Sequence, residues 1–328
     1  MTDFTTQYLG LYLKNPIVAA SSSYTGNIKH LIELEKSGVS AVVLKSIFEE
    51  EIINDFHHNL DMDDRFHSSL EFLDYYDYDL KKESLDKYIQ LIKEAKKELM
   101  IPVIASINCV TSQDWTDFAV QFEKAGADAL ELNIFILPSD NQKTAQDIEN
   151  EYIQIIKKVR SGISIPVSVK MSHYFTHISE MISKLDQTGI SGLVLFNRSY
   201  SPDIDIDKME ITSSNIFSSP DDFTLPLRWI ALNSNKVNCS LAASTGIHDS
   251  SSVIKLLLAG ADVIQLASTI FINGPEQVTK ILSELEEWMG KHKFLNIDQF
   301  RGKLTNDNKN PAEFERVQFM KYFGNKKI

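Results

Sequence analysis

The chain has 328 residues, of which 43% are hydrophobic and 24% charged, a balance typical of a folded globular protein. This composition excludes a disordered chain, a collagen-like repeat and a disulfide scaffold, and the length allows either two domains or one large α/β barrel. The 45 acidic residues outnumber the 33 basic ones, and the net charge of −12 repels polyanions, so we expect no nucleic-acid partner.

Cysteine content and hydropathy bear on location. Only two cysteines occur, Cys109 and Cys239, and both lie in apolar stretches. Two are too few for a disulfide framework, so we expect a reducing, cytoplasmic environment. The first residues lack the basic and apolar regions of an export signal, and no run of about 18 apolar residues occurs. We therefore expect no membrane association.

Eight segments have the apolar, β-branched composition of buried strands. In chain order they are 15–21, 37–46, 101–107, 125–134, 165–171, 188–197, 239–245 and 259–268. Four of these segments begin with a small residue and a glycine, which suits the left-handed position that ends a helix. Segments with helical periodicity lie between the strands, at 84–99, 114–127, 145–160, 177–188 and 249–260. The alternation predicts a parallel sheet covered by helices.

Eight such units, without a glycine-rich dinucleotide loop after the first strand, predict a (β/α)8 barrel rather than an open doubly wound sheet. We expect one domain over residues 1–328, with a helical C-terminal extension from about residue 296. Two segments interrupt the rhythm: an acidic, aromatic insertion at 47–83, after the second strand, and another at 198–225, after the sixth. We interpret both as lids or binding loops.

Every predicted strand ends in a polar side chain, at the end of the barrel where active sites gather. These residues are Ser21 and Ser22, Lys45 and Ser46, Ser106 and Asn108, Asn133, Lys170, Asn197 and Arg198, Ser244 and Thr245, and Ser268. A lone lysine at a strand end is usually only solvated. Two lysines and two asparagines that converge on one mouth indicate a binding site, because an unpaired buried polar group costs about 1–3 kcal/mol.

Small residues follow the last two predicted strands, at 243–247 and 266–268. Helical segments begin shortly after each of them, so exposed backbone N–H groups are expected to form an anion site at this corner of the barrel. The alternative is that the small residues only permit tight turns. The sequence therefore predicts a phosphate site without excluding a purely structural role.

The chain also carries a family resemblance. The motifs NPIVAASS, VVLKS, IASINC, GADALELN, SVKMSHYF, LVLFN, AASTGI and GADVIQLASTIFINGP resemble, in order and spacing, those of the dihydroorotate dehydrogenase family, most of all its soluble class 1 members. The stretch from IASINC to AGADALELN also resembles the flavin-binding pyrimidine domain of dihydropyrimidine dehydrogenase. The resemblance extends from about residue 8 to about residue 304. It implies a barrel that binds FMN, oxidation of a CH–CH bond of a pyrimidine-like small molecule, and a homodimer.

The resemblance implies a role for each matching residue. Residues implied to contact the cofactor are Ala20, Ser21, Lys45, Ser46, Asn133 and Lys170 near the flavin ring, and Ser244, Thr245, Gly246, Ala267 and Ser268 toward its phosphate. Lys170 would face the pyrimidine edge of the flavin, where a fixed cation stabilises the anion formed on reduction. Residues implied to bind substrate are Lys45, Asn133 and Asn197.

The position of the catalytic base departs from the family pattern. Class 1 members read Leu-Ser-Cys-Pro after the strand-four asparagine, with the cysteine as base, whereas residues 134–139 here read IFILPS and place Ile136 at the cysteine position. An isoleucine accepts no proton, and loss of a general base typically costs about 10²- to 10⁴-fold in rate. The family's Asn-Ser-Met-Gly motif after strand two is also absent. Our first candidate for a displaced base is Ser139, with Lys45 as the second catalytic residue; the others are Cys109, His173 and Tyr174.

We therefore interpret the chain as an FMN-dependent oxidoreductase whose substrate can differ from dihydroorotate. Three alternatives stay open: an authentic dihydroorotate dehydrogenase of pyrimidine biosynthesis with a displaced base, a flavin-binding protein without catalysis, and a non-flavin aldolase or synthase with Lys170 or Lys45 as its amine. His57, His58 and His67 in the acidic insertion match no established ligand spacing, so we expect no metal site.

Overall fold

The computed structural model of the protein describes residues 2–48, 70–108, 112–198, 202–213 and 216–305. The described chain begins with an antiparallel hairpin of β1 (Thr6–Tyr8) and β2 (Leu11–Leu13). The following strands are β3 (Ile17–Ala19), β4 (Ala41–Val43), β5 (Ile47–Phe48), β6 (Val103–Asn108), β7 (Ala129–Asn133), β8 (Val167–Met171), β9 (Gly192–Leu195), β10 (Pro202–Asp205), β11 (Glu210–Ser213), β12 (Ser240–Ser244) and β13 (Val263–Leu266).

Eight of these strands form a closed parallel barrel. The order around it is β4, β3, β13, β12, β9, β8, β7 and β6, and a further pairing of β4 with β6 closes the ring. The short β5 continues beyond β4 and pairs with the end of β6. The predicted (β/α)8 barrel is thus confirmed, and each predicted strand segment overlaps one barrel strand.

Helices surround the barrel and bury the outward-facing side chains of its strands. They are α1 (Ile28–Ser37), α2 (Leu70–Glu98), α3 (Ser112–Ala125), α4 (Ala145–Gly162), α5 (Ile178–Gln187), α6 (Thr224–Asn233), α7 (Ser250–Leu258), α8 (Ser268–Asn273) and α9 (Glu276–His292). Three 3₁₀ turns occur at Ser23–Gly26, Pro220–Phe223 and Ile297–Gln299. Among the described residues, no helix combines the length and the apolar character needed to cross a bilayer.

The glycines after four helices have the predicted conformation. Gly38, Gly126, Gly189 and Gly260 have φ values of 107°, 99°, 77° and 104°. Side chains with a Cβ rarely adopt this region, so glycine ends each helix and turns the chain into the next strand.

One predicted segment differs from the structure, and a second lies mostly outside the described residues. Helix α2 begins at Leu70, so the insertion predicted at 47–83 is shorter than expected. The acidic, aromatic residues from Leu70 onward are helical, although their apolar stripe is weak. Residues 49–69, with His57, His58 and His67, lie outside the described residues. In the C-terminal extension, the described part has only the 3₁₀ turn Ile297–Gln299, and residues 306–328 lie outside the described residues.

The barrel interior is apolar at the bottom and polar toward the mouth. Alternate strand residues such as Val18, Val43 and Val194 pack with Tyr8 and Leu9 of the N-terminal hairpin in a cluster of their own. The hairpin therefore closes the end of the barrel at which the strands begin. Polar side chains occupy the interior above this apolar layer, and they position the candidate site.

Candidate functional site

Asn133 and Lys170 lie side by side at the barrel mouth. They are Cα partners in the register of the neighbouring strands β7 and β8. Both are buried, with 7% and 6% of their surface exposed. The Oδ1 atom of Asn133 has no hydrogen-bond partner among the residues that the structure describes. Because orphaned buried polar atoms are rare, an acceptor and a cation here fit a polar ligand that covers them.

One layer deeper, a carboxylate faces Lys170 from below. Glu131 is fully buried, and its Oε1 atom lies 3.8 Å from the Nζ atom of Lys170. Its Oε2 atom accepts a hydrogen bond of 2.7 Å from the side-chain amide of Gln265. Burial, together with the charge of Glu131, raises the pKa of Tyr8 well above its ordinary value, so its hydroxyl stays protonated. The barrel therefore has a charged centre directly beneath its mouth.

Sequence reasoning missed Glu131. It lies inside the apolar strand segment ALELN, two residues before Asn133. Residues two apart in a strand share a face, so an inward Asn133 implies an inward Glu131. The two-residue repeat of side chains along a strand is the sequence signal that identifies Glu131 as inward-facing.

Three serines connect the ends of the strands next to Lys45. The hydroxyl of Ser46 lies 3.0 Å from that of Ser21 and 2.7 Å from that of Ser106, and the backbone N–H of Ser46 donates to Ser21. The Tyr88 hydroxyl donates to the Ser106 carbonyl at 3.1 Å and accepts from its N–H at 2.9 Å. This network holds the turn that carries Lys45, so the predicted residues Ser21, Lys45 and Ser46 do converge.

The corner after β12 and β13 has a tightly packed backbone. Thr245 and Gly246 both have positive φ, of 82° and 78°, and a Cβ on Gly246 would collide with the backbone nitrogen of Phe223. The hydroxyl of Ser268 accepts a 3.0 Å hydrogen bond from the N–H of Ser218. The 3₁₀ turn and the segment before it therefore fold onto the predicted phosphate corner, which also includes the buried Ser244 and the half-buried Ala267.

A cleft of about 570 Å³ opens beside the mouth, between the ends of β8, β9 and β12. Among its lining residues are His173, Tyr174, Asn197, Asp222 and Thr245. The backbone N–H of Asn197 donates to the Met171 carbonyl at 2.8 Å, which fixes Asn197 next to the loop that carries His173. The predicted substrate residue Asn197 therefore lies at a cavity of suitable size for a small ligand.

The candidate bases have different surroundings. Ile136 is half-buried and packs against the core, and Ser139 lies exposed on a turn after β7. The His173 ring is half-buried between Tyr174, at 4.4 Å between centroids, and Phe196, at 6.2 Å. Burial lowers the pKa of His173, which favours the neutral imidazole. Cys109 lies outside the described residues.

Two further features of the described chain are separate from this site. No group of three or more His, Cys, Asp or Glu side chains in the described ranges could hold a metal ion. A cavity of about 660 Å³ lies at the opposite end of the barrel, where Arg301 forms ion pairs with Asp262 at 2.9 Å and with Asp298 at 2.7 Å. That end of a (β/α)8 barrel is typically associated with stability rather than chemistry.

A closed parallel barrel with buried polar side chains at the carboxyl ends of its strands is the architecture of (β/α)8-barrel enzymes. The sequence profile of the family described as "Dihydroorotate dehydrogenase" matches residues 4–289. The chain belongs to this family, so it is an oxidoreductase that acts on a CH–CH bond.

Curated relatives extend the comparison. One from Thermoplasma volcanium, named "Dihydroorotate dehydrogenase B (NAD(+)), catalytic subunit", is 24% identical over 314 residues, covering 92% of this chain and 98% of the relative. Relatives of the same name from Thermoplasma acidophilum and Methanothermobacter thermautotrophicus are 23% and 27% identical, over 92% and 62% of this chain and 99% and 68% of theirs.

Proposed function

We propose that this chain binds FMN at the barrel mouth and oxidises a CH–CH bond of a small, cyclic, dihydropyrimidine-like substrate. The observation that carries the proposal is the adjacent, buried pair of Asn133 and Lys170, with an orphaned amide oxygen beside a cation. An oxidised flavin ring has both donor and acceptor edges, which fit such a pair. Membership of the dihydroorotate dehydrogenase family supports the choice of FMN among flavins.

The proposed cofactor site uses the residues around this pair. FMN, when bound, supplies the hydride acceptor for the reaction. Lys170 provides a fixed positive charge at the ring, where negative charge develops on reduction. The backbone of Ala20 and the turn at Ser21, Lys45 and Ser46 would border the ring. The phosphate would lie at the corner formed by Ser244, Thr245, Gly246, Ala267 and Ser268, where backbone N–H groups are the expected donors.

His173 is the best-placed proton acceptor among the described candidates. Its ring lines the cleft beside Asn197. In the proposed reaction the imidazole would take a proton from one substrate carbon, and the electron pair left there would form the C=C bond as the adjacent carbon loses its hydride, for which FMN, when bound, would supply the acceptor. Ser139 stays a second candidate, because a movement of its loop could bring it to the mouth. Lys45 and Asn197 would hold the substrate, together with Asn133.

The names of the relatives support dihydroorotate, and with it pyrimidine biosynthesis, as the specific case. Ile136 weighs against efficient use of this substrate, since it occupies the position of the family's base. Anaerobic stopped-flow mixing with dihydroorotate and with dihydrouracil tests the proposal. We expect at least one dihydropyrimidine to bleach the flavin, with dihydroorotate slow in the native protein and faster in Ile136→Cys. A flavin that dithionite reduces but no dihydropyrimidine reduces would contradict the substrate class.

We also infer that the chain works as an assembly. The relatives' name, "catalytic subunit", supports a second subunit that takes over electrons. A homodimer is supported by the hairpin of β10 and β11, where Ile204 and Ile211 pair across the strands and are 66% and 83% exposed. Ile206 and Met209 extend this apolar face, and exposed apolar faces of this kind mark protein contacts. The proposed location is the cytoplasm.

A further inference from the structure

The buried carboxylate of Glu131 has no role in the proposed chemistry so far. Its side chain has no exposed surface, and its Oε1 atom accepts no hydrogen bond from any residue that the structure describes. Its charged neighbour is the Lys170 ammonium, 3.8 Å away, and its hydrogen-bond donor is the Gln265 amide, 2.7 Å away; the buried Ser106 and Ser168 are its register partners on the adjacent strands. The buried hydroxyl of Tyr8 lies close enough to Glu131 for the carboxylate charge to raise the pKa of Tyr8.

Packing alone does not account for an acid at this position. The layer beneath is formed by apolar side chains such as Ala129 and Val263, and an apolar residue could fill the space with no desolvation cost. A buried carboxylate is costly unless a cation compensates it, and a buried pair is often no more stable than apolar residues of similar size. The charge of Glu131 therefore points to a role exercised through its partner, Lys170.

We propose that Glu131 is the counter-ion that limits how strongly Lys170 stabilises negative charge at the barrel mouth. This inference rests on the proposed function, in which the reduced flavin is anionic. An uncompensated Lys170 would favour the reduced form strongly and hold its electrons. With Glu131 beneath Lys170, the net charge of the pair is close to zero, so a reduced cofactor held at the mouth would be a better electron donor to the next acceptor.

The test compares binding of reduced and oxidised FMN to isosteric variants. In Glu131→Gln, which removes the charge and keeps the shape, we expect the ratio of reduced to oxidised affinity to rise at least tenfold, a rise of ~30 mV in the two-electron midpoint potential. In Lys170→Met the ratio of reduced to oxidised affinity should fall, and the midpoint potential should decrease. Glu131→Asp keeps the charge and should stay within about threefold of the native protein, a factor that corresponds to ~15 mV.

The controls separate this inference from folding and from the proposed function. Tyr8→Phe removes a neutral group from the same interior and should leave the potential unchanged, whatever it does to the melting temperature. If Glu131→Gln does not fold, Gln265→Met, which removes the amide that holds the carboxylate, should raise the potential in the same direction. A midpoint potential in Glu131→Gln, or in Gln265→Met where Glu131→Gln does not fold, that equals the native potential would overturn the role of Glu131. A native protein that binds no FMN would instead overturn the proposed function.

Discussion

Replacing His173 with glutamine should slow reduction of the flavin about 10²- to 10⁴-fold for the dihydropyrimidine that the native protein oxidises fastest. Glutamine keeps a polar side chain of similar size in the cleft but cannot accept a proton. Ser139→Ala is the matched control on the exposed turn after β7, and its effect should be less than about tenfold, well below that of losing a base. Stopped-flow absorbance under anaerobic conditions measures both rates.

The expected loss is too large to arise from unfolding. The ring of His173 contacts Tyr174 at 4.4 Å and Phe196 at 6.2 Å, and aromatic contacts contribute about 0.5–1.5 kcal/mol each. Losing both would remove at most about 3 kcal/mol from a domain whose unfolding free energy is typically 5–15 kcal/mol. The variant should therefore remain folded at 25 °C, and its rate should report on the chemistry.

The pH dependence gives an independent check. Burial lowers the pKa of His173 in the folded protein below that of the unfolded chain. The neutral base is thus present at pH 7, and the rate should fall only as the pH drops below the ordinary histidine value of about 6.5. The unfolded chain binds the proton more readily in this window, so the unfolding free energy should also decrease as the pH falls through it. In His173→Gln the acid limb of the rate should be absent, and the decrease of the unfolding free energy near pH 6.5 should be smaller than in the native protein.

An unchanged reduction rate in His173→Gln would refute the assignment. If Ser139→Ala instead carried the large loss, the displaced base would be Ser139, and the turn that holds it would have to move toward the mouth during catalysis.

Two other predictions concern ligand binding and assembly. FMN should bind at least tenfold more tightly than riboflavin, and Ser268→Asp should abolish this preference while Ser268→Ala retains it. Equal affinities of the native protein for the two flavins would refute a phosphate site at this corner. Gly246 variants cannot test the site, because a Cβ there would collide with Phe223. Light scattering after size-exclusion chromatography should show a dimer that Ile211→Lys dissociates and that Thr212→Lys, on the opposite face of the hairpin, does not; a native monomer would exclude the homodimer.

The sequence predicted the barrel because its signals are local. Each strand is short, apolar and β-branched, and glycines such as Gly38 and Gly260 mark where helices end. The sequence predicts the helix only from residue 84, whereas α2 begins at Leu70, because the acidic and tyrosine-rich residues after Leu70 lack a clear apolar stripe.

From the sequence, only the site residues at the ends of strands could be predicted. Asn133, Lys170, Ser21 and Ser46 follow from their positions at the carboxyl ends of parallel strands. The contact of Gly246 with the turn at Phe223 could not be predicted, since it joins segments that are distant in sequence. The half-burial of His173 likewise depends on Phe196 of another strand, and no local pattern encodes it.

The central claim is that this barrel is an FMN protein, and the chromophore of the purified protein tests it most directly. We expect a yellow protein with a flavin absorbance spectrum, which releases FMN on heat denaturation at one molecule per chain after reconstitution. Identification of the released compound by chromatography against FMN, FAD and riboflavin completes the measurement. A colourless protein that takes up no FMN, with Lys170 or Lys45 instead trapped by borohydride together with a carbonyl substrate, would contradict the account and identify a non-flavin barrel.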